Sequence, residues 1–241
     1  MRVLLVNRAL PCHITGGLER HFEDLALGLA ARGLHPHLLT APIPEEERER
    51  LATLGVTHHA VPVADASRYS LRYLREVAAA LDRLLAVERF DVIHAQEFAL
   101  GFWRPRRSSP PVILSVHGTI TSETPLHRDC RRLLRPGQWP WAVARFGRRL
   151  AFAPLWRRHL HTAARILVDS EFTRRDLDRD FPATRGIVRC IPLAVREAPT
   201  AHVERGDARR ALGWTGTQLL TIGRVEWQKG QDLAIEALAG L

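Results

Sequence analysis

Lysine is almost absent from this chain: Lys229 is its single lysine, and the remainder of its 35 basic residues are arginine. Cysteine is nearly as scarce, at three in 241 residues. Cys12, Cys130 and Cys190 are far apart and odd in number, so they supply neither a disulfide framework nor a paired-cysteine metal spacing. They fit buried thiols in a reducing, cytoplasmic compartment. Cys12-His13 is no metal pair, because adjacent side chains diverge in an extended loop and no second ligand pair lies nearby. No stretch approaches the roughly 18 consecutive apolar residues of a membrane span. Asn7 and Arg8 interrupt the N-terminal apolar run before a signal-peptide core could form.

What is present is a soluble, core-forming composition, 46% hydrophobic and 25% charged. That excludes general disorder, because a disordered chain cannot bury so much apolar surface. By the prior of length over about 150, the chain makes one large domain or two small ones. The formal charge of +9 is unevenly spread: residues 101–165 hold 13 arginines against Glu123 and Asp129, leaving the rest of the chain slightly acidic. The same stretch carries Trp103, Trp139, Trp141 and Trp156, four of the six tryptophans.

Periodicity gives the organisation. Arg2–Val6 is a short apolar strand. A loop containing Pro11 leads to Gly16-Gly17, which opens a helix with Leu18, Phe22, Leu25, Ala26 and Leu29 on one face. Gly33 stops it as a left-handed cap, and His35–Thr40 is the second strand, parallel to the first by right-handed crossover. Further strands are expected at His58–Val63, Asp91–His94, Val112–Val116, Arg165–Val168 and Gly186–Ile191, with helices at Leu71–Val87 and Phe172–Asp180. Strands alternating with helices predict an α/β fold, a doubly wound parallel sheet of Rossmann-like type. After Pro192 the texture becomes that of a linker. A short helix at Asp207–Leu212, a buried strand at Gln218–Ile222, a loop at 223–230 and a helix from Asp232 then open a second domain. The division is 1–195, a linker at 196–206, and 207–241.

Three strand-end positions can carry chemistry, since ligands of open α/β sheets bind beyond the carboxyl ends of strands. Gly16 and Gly17 leave backbone N–H groups bare at a helix start, where an anion can approach; a plain tight turn is the alternative. They are not a dinucleotide fingerprint, because they do not follow the first strand directly and no acid ends the second. His117, directly after Val112–Val116 and before Gly118, reaches towards the crevice, or bonds to loop backbone. Arg224 and Lys229 share the loop after Gln218–Ile222. A compact ammonium on a flexible stem beside an arginine suits a diphosphate, the alternative being a solvated surface pair.

Together these residues resemble the N-terminal part of a GT-B glycosyltransferase, most closely the retaining family 4. Gly16-Gly17-Leu18-Glu19 resembles that family's glycine-rich loop, and Ala31-Arg32-Gly33-Leu34-His35 its helix-to-second-strand turn. Asp91-Val92-Ile93-His94-Ala95 and Val116-His117-Gly118 resemble two acceptor-side strand ends, and Val168-Asp169-Ser170-Glu171 the strand and helix start before the linker. Ile191-Pro192-Leu193-Ala194-Val195 resembles the interdomain passage, and Gly223-Arg224 with Lys229-Gly230 the donor-diphosphate loop. The chain departs from the pattern at Ala194, where glycine is usual, and at Gln96, often a second histidine.

The resemblance implies transfer of a sugar from a nucleotide sugar with retention, and neither cofactor nor metal. Arg224 and Lys229 would stabilise the leaving diphosphate, where negative charge grows. Gly16 and Gly17 would close over the donor, and His117 would lie near the sugar and the acceptor. The family's paired donor-binding glutamates fall beyond Leu241, so the chain is expected to be truncated, inactive alone and dependent on a second chain for the rest of the donor domain. The arginines and aromatics from Arg128 to His161 have the mix of an interfacial helix. Arg145, Arg148, Arg149, Trp139, Trp141 and Trp156 are candidate contacts to an anionic membrane at the inner face, or to an anionic, lipid-linked acceptor; a solvated face with its tryptophans in the core is the third reading. Nucleic-acid binding fits the charge but lacks a recognised motif. Two alternatives to the transferase are a GT-B-like nucleotide-sugar epimerase and a non-catalytic membrane- or partner-binding module on a Rossmann-like scaffold.

Overall fold

A computed structural model describes residues 1–62, 66, 69–119, 136–194, 203–225 and 229–239, and within them every side chain except that of Arg148. The chain divides into two compact units, Met1–Ala194 and Val195–Leu241. The first holds seven strands: β1 (Arg2–Val6), β2 (His35–Thr40), β3 (Thr57–Ala60), β4 (Val92–Gln96), β5 (Val112–Val116), β6 (Arg165–Val168) and β7 (Val188–Cys190). All pair in parallel, in the order β3-β2-β1-β4-β5-β6-β7. The helices are α1 (Gly17–Ala30), α2 (Glu45–Thr53), α3 (Leu71–Val87), α4 (Trp139–Ala151), α5 (Ala153–Leu160) and α6 (Glu171–Asp180). This is the doubly wound Rossmann-like sheet that the alternation predicts.

The two faces of β1 show why. Val3 and Leu5 join Phe22, Ala26, Leu38, Leu51 and Val56 in one core. Leu4 and Val6 join Leu39, Tyr73, Leu74, Val77, Leu81 and Ile93 in the other. A strand buried on both faces must be apolar at every position, as Val3–Val6 is. Helix α3 turns Tyr73, Leu74, Val77 and Leu81 onto the sheet, and the Ser70 hydroxyl caps it by accepting the Tyr73 N–H at 3.0 Å. Gly33 adopts a left-handed φ of 75°; with it, the N–H of Leu34 returns to the Leu29 carbonyl at 3.1 Å and closes α1.

Several boundaries differ from expectation for local reasons. The third strand ends at Ala60, ahead of Pro62. The fourth begins after Asp91, whose carboxylate accepts the Arg2 N–H at 2.6 Å, and runs on to Gln96. A 3-10 segment over Pro182–Ile187 shortens the last strand to Val188–Cys190. Helix α2 has no apolar stripe: Leu51 is its one buried residue, and Glu45–Arg48 and Glu47–Arg50 pairs with acids in the first turn sustain it. Cys12 is exposed and Cys190 half-buried, not the buried thiols expected; Cys130 lies outside the described residues.

The second unit contains α7 (Arg205–Ala211) and α8 (Gln231–Ala239). Gln218–Ile222 is not a buried strand. Among the described residues it pairs with nothing, and Leu219, Leu220 and Ile222 are exposed. A strand exists through its neighbours' hydrogen bonds, and none is supplied here. Most of the linker at 196–206 lies outside the described residues.

Candidate functional site

Strand order reverses about β1, with β2 on one side and β4 on the other. That switch point opens a crevice at the carboxyl ends of the strands, and loops after β1, β4, β5 and β6 converge there. His117, just past β5, is the centre of the convergence. Its Nδ1 lies 3.3 Å from Asp169 Oδ2 and its Nε2 3.0 Å from Gln96 Oε1. Its backbone N–H donates to the Glu97 carboxylate at 2.8 Å. The His21 ring meets the His117 ring edge-on at 5.4 Å. The expected alternative, a loop histidine bonding backbone, is thereby replaced: both ring nitrogens face side-chain oxygens.

Each partner is itself held. Asp169 directly follows β6, and its Oδ1 accepts from the Thr173 hydroxyl at 3.1 Å. The Ser170 side chain caps α6 by accepting the Thr173 N–H at 3.2 Å, so a helix cap aims the carboxylate at the imidazole. Glu97 has a positive φ of 49°, the one such non-glycine residue among those described, a strained conformation for a residue with a side chain. Its carbonyl accepts from buried His159 Nε2 at 2.8 Å. Gln96 is wholly buried, and its amide nitrogen has no partner among the described residues. His94, one turn of the pleat back on β4, bonds the Ser115 hydroxyl at 2.8 Å. Burial pushes the pKa of His94 and of His159 down to about 4, so both serve as neutral packing groups. Burial, and then the neighbouring His117, lower that of His21.

The glycine pair lies at the start of α1 with Gly16 as N-cap and no side-chain cap. The N-terminus is not bare. Glu19, buried in the first turn, pairs with Arg8 at 2.9 Å, and a Cβ on Gly16 would collide with the Glu19 carboxylate. The anion admitted by Gly16 is the chain's own. Gly17 is open, since a Cβ there would meet nothing within 4 Å. Arg8 stacks over Tyr69 at 5.5 Å, and the Tyr69 hydroxyl donates to Asn7 Oδ1 at 3.3 Å.

In the second unit Arg224 and Lys229 are both exposed. Gln231 Nε2 donates to the Arg224 carbonyl at 2.8 Å, and the Lys229 stem folds over Gly223, with Cγ 3.4 Å from where a Cβ would stand. The intervening Glu226, Trp227 and Gln228 lie outside the described residues.

The basic aromatic stretch divides. On α4, Trp139 and Trp141 are 42% and 46% exposed, and Arg145 stacks over Trp141 at 5.9 Å. Val143, Leu150 and Phe152 are exposed as well, and Arg149 is half-buried. Trp156 does not belong to that surface: it stacks on Phe98 at 5.5 Å and packs against the core. Beside the α4–α5 corner is a cavity of about 530 Å³ lined by Leu150, Ala153, Pro154, Arg157, Arg158 and His161. Among the described residues no helix is long and apolar enough to cross a membrane.

Sequence reasoning singled out His117 by its strand-end position, but missed Glu97, His21 and His159, which no spacing links to it. Asp169 and Gln96 were visible only as members of short strand-end motifs.

Comparison with known proteins follows the same architecture. A family model described as Glycosyltransferase Family 4 matches residues 15–198. No curated protein matches. Sucrose-phosphate synthase from Thermosynechococcus elongatus aligns with a TM-score of 0.67 at 17% identity, covering 100% of this chain and 60% of that one. WaaG, a glycosyltransferase involved in lipopolysaccharide biosynthesis, aligns at 0.59 and 17% identity, covering 100% and 60%. The catalytic domain of starch synthase IV from Arabidopsis thaliana, bound to ADP and acarbose, aligns at 0.59 and 13% identity, covering 99% and 65%. These likenesses show a shared fold, and the chain spans about three-fifths of the length of the first of them.

Proposed function

The chain belongs to glycosyltransferase family 4, and from that premise we propose that it serves transfer of a sugar from a nucleotide sugar to an acceptor, with retained anomeric configuration and without metal in the reaction. The observation that carries this reading is the His117 cluster: an imidazole held between Asp169 and Gln96 at the switch-point crevice. With Nδ1 held by Asp169, the ring presents Nε2 to a sugar hydroxyl that takes the place of Gln96, in one orientation rather than by free rotation. Arg224 and Lys229 hold the donor diphosphate, meeting the charge that grows as the glycosidic bond breaks. Gly17 leaves the start of α1 accessible to the donor, while the Arg8–Glu19 pair fixes the loop around it. The ADP described with the starch synthase supports a nucleotide-linked donor. The setting is cytoplasmic.

The test is calorimetric titration of the full chain with UDP, GDP and ADP. One of the three binds, and joint replacement of Arg224 and Lys229 by alanine weakens it about tenfold or more, as loss of charge-assisted bonds does. No binding by any of them, or equal binding by the variant, overturns the donor reading.

A second reading, peripheral attachment to an anionic membrane that presents a lipid-linked acceptor, is favoured by the exposed Trp139, Trp141, Val143, Leu150 and Phe152 among arginines. Flotation with vesicles containing anionic lipid at low salt carries the chain upward. Replacing Arg145, Arg148 and Arg149 together reduces flotation, at about 1 kcal/mol per arginine. Chain that stays at the bottom of the gradient rules this reading out.

A further inference from the structure

Away from the crevice, at the outer edge of the sheet, three potential ligands meet. His37 is the third residue of β2 and His59 the third of β3; parallel pairing sets His37 opposite Thr57 and His59 opposite Leu39. The rings stack at 5.3 Å with an interplanar angle of 10°. His37 Nδ1 faces His59 Nε2 at 3.0 Å. Glu88, just after α3, brings one carboxylate oxygen to 3.9 Å from His37 Nδ1 and the other to 4.0 Å from His59 Nε2. A single donor atom from each of the three lies within 4.8 Å of the others.

We propose that His37, His59 and Glu88 bind a zinc ion that pins edge strand β3 to β2 and to the end of α3. Zinc bound at about 2.0–2.1 Å by tetrahedral nitrogen and oxygen ligands sets neighbouring donors about 3.3 Å apart. The nitrogens already stand at 3.0 Å, and the carboxylate, at 3.9 Å from His37 and 4.0 Å from His59, has to close by about 0.6–0.7 Å to reach that spacing. Two histidines and a carboxylate leave the fourth position to water, and the donor set suits zinc rather than magnesium or calcium, which take oxygen. The two imidazoles share one proton across their contact. On zinc binding that proton moves to the other nitrogen of the ring that carried it, so charge and protons balance without release.

Arg2 is the built-in competitor. Its guanidinium pairs with Glu88, approaches His37 Nε2 at 3.4 Å and stacks over Phe90 at 5.1 Å. A cation is thus already held where zinc would bring its charge, and Arg2 must yield the His37 contact when His37 takes its proton on Nε2. Removal of the arginine charge therefore separates a metal site from a mere polar cluster.

The experiment is zinc titration of the full chain, read by calorimetry and by the absorption of the cobalt-substituted form. The wild-type chain takes up one equivalent in a step that His59→Gln and Glu88→Gln each abolish while circular dichroism is unchanged. Arg2→Met, which keeps the stem over Phe90, tightens the same step severalfold. Tetrahedral cobalt bands appear in the wild type and not in His59→Gln. Absence of a one-equivalent step, its survival in both ligand variants, or weaker binding by a folded Arg2→Met overturns the proposal. None of these readings depends on glycosyl transfer.

Discussion

Two histidine clusters on one sheet are put to opposite uses. Beyond the carboxyl end of β5, His117 has a side-chain oxygen at each nitrogen, from Asp169 and Gln96, and each of these partners is fixed by a cap or by burial. At the β2–β3 edge, His37 and His59 turn nitrogens towards each other at 3.0 Å, with a carboxylate alongside and an arginine as counter-charge. The difference is in what faces the nitrogens, not in residue type. Side-chain oxygens from two chain segments, the ends of β4 and β6, orient one ring towards the crevice. Facing donor atoms make the other pair a receptor for a cation.

The largest expected effect tests whether the crevice cluster acts in the reaction. In an assembly competent for transfer, His117→Ala lowers donor turnover by about 10²-fold to 10⁴-fold, the range of a positioned proton-handling group. Asp169→Asn, which keeps the bond to Thr173 but removes the charge beside Nδ1, lowers it less. His59→Gln at the edge leaves it unchanged. Steady-state release of nucleoside diphosphate reads all three, and equal losses in His117→Ala and His59→Gln would erase the distinction between the clusters.

Acidification comes next, because the crevice histidine is backed by two others that are buried. His94 and His159 titrate near 4 when folded, against about 6.5 when unfolded. The unfolded chain therefore binds more protons in that window. Stability is full above pH 6.5 and is lost as pH falls towards 4, by roughly 2 kcal/mol per histidine at pH 5. Urea midpoints at pH 7 and pH 5 measure it, and His159→Gln reduces the dependence. A midpoint that rises on acidification contradicts the burial assigned to these rings.

The sheet was legible because short apolar runs alternate with helical periods: β1, β2, β5, β6 and α3 fall where the pattern predicts. Helix α2 was not, since its stability comes from charge pairs and an acidic first turn, which leave no apolar period. Gln218–Ile222 misled for the converse reason: an apolar run has strand propensity, but pairing is a property of neighbours. His117 could be picked out by position alone, whereas Glu97 depends on a backbone twist that composition does not announce. The edge cluster was invisible, as His37 and His59 are 22 residues apart and meet only through the parallel register of β2 with β3.

The smallest effects separate two adjacent glycines that look equivalent in sequence. Gly16→Ala drives a Cβ into the Glu19 carboxylate, which is only 4% exposed and paired with Arg8. The carboxylate has no solvent to retreat into, so the substitution costs about 1–3 kcal/mol and loosens the loop on the crevice side of α1. Gly17→Ala enters open space in the first helical turn and gains a few tenths of a kcal/mol, up to about 1, because alanine has less unfolded-state freedom to lose. Denaturant midpoints of the two variants should move in opposite directions. If nucleotide binding falls in Gly17→Ala despite the gain in stability, that glycine is kept for close approach of the donor rather than for the turn.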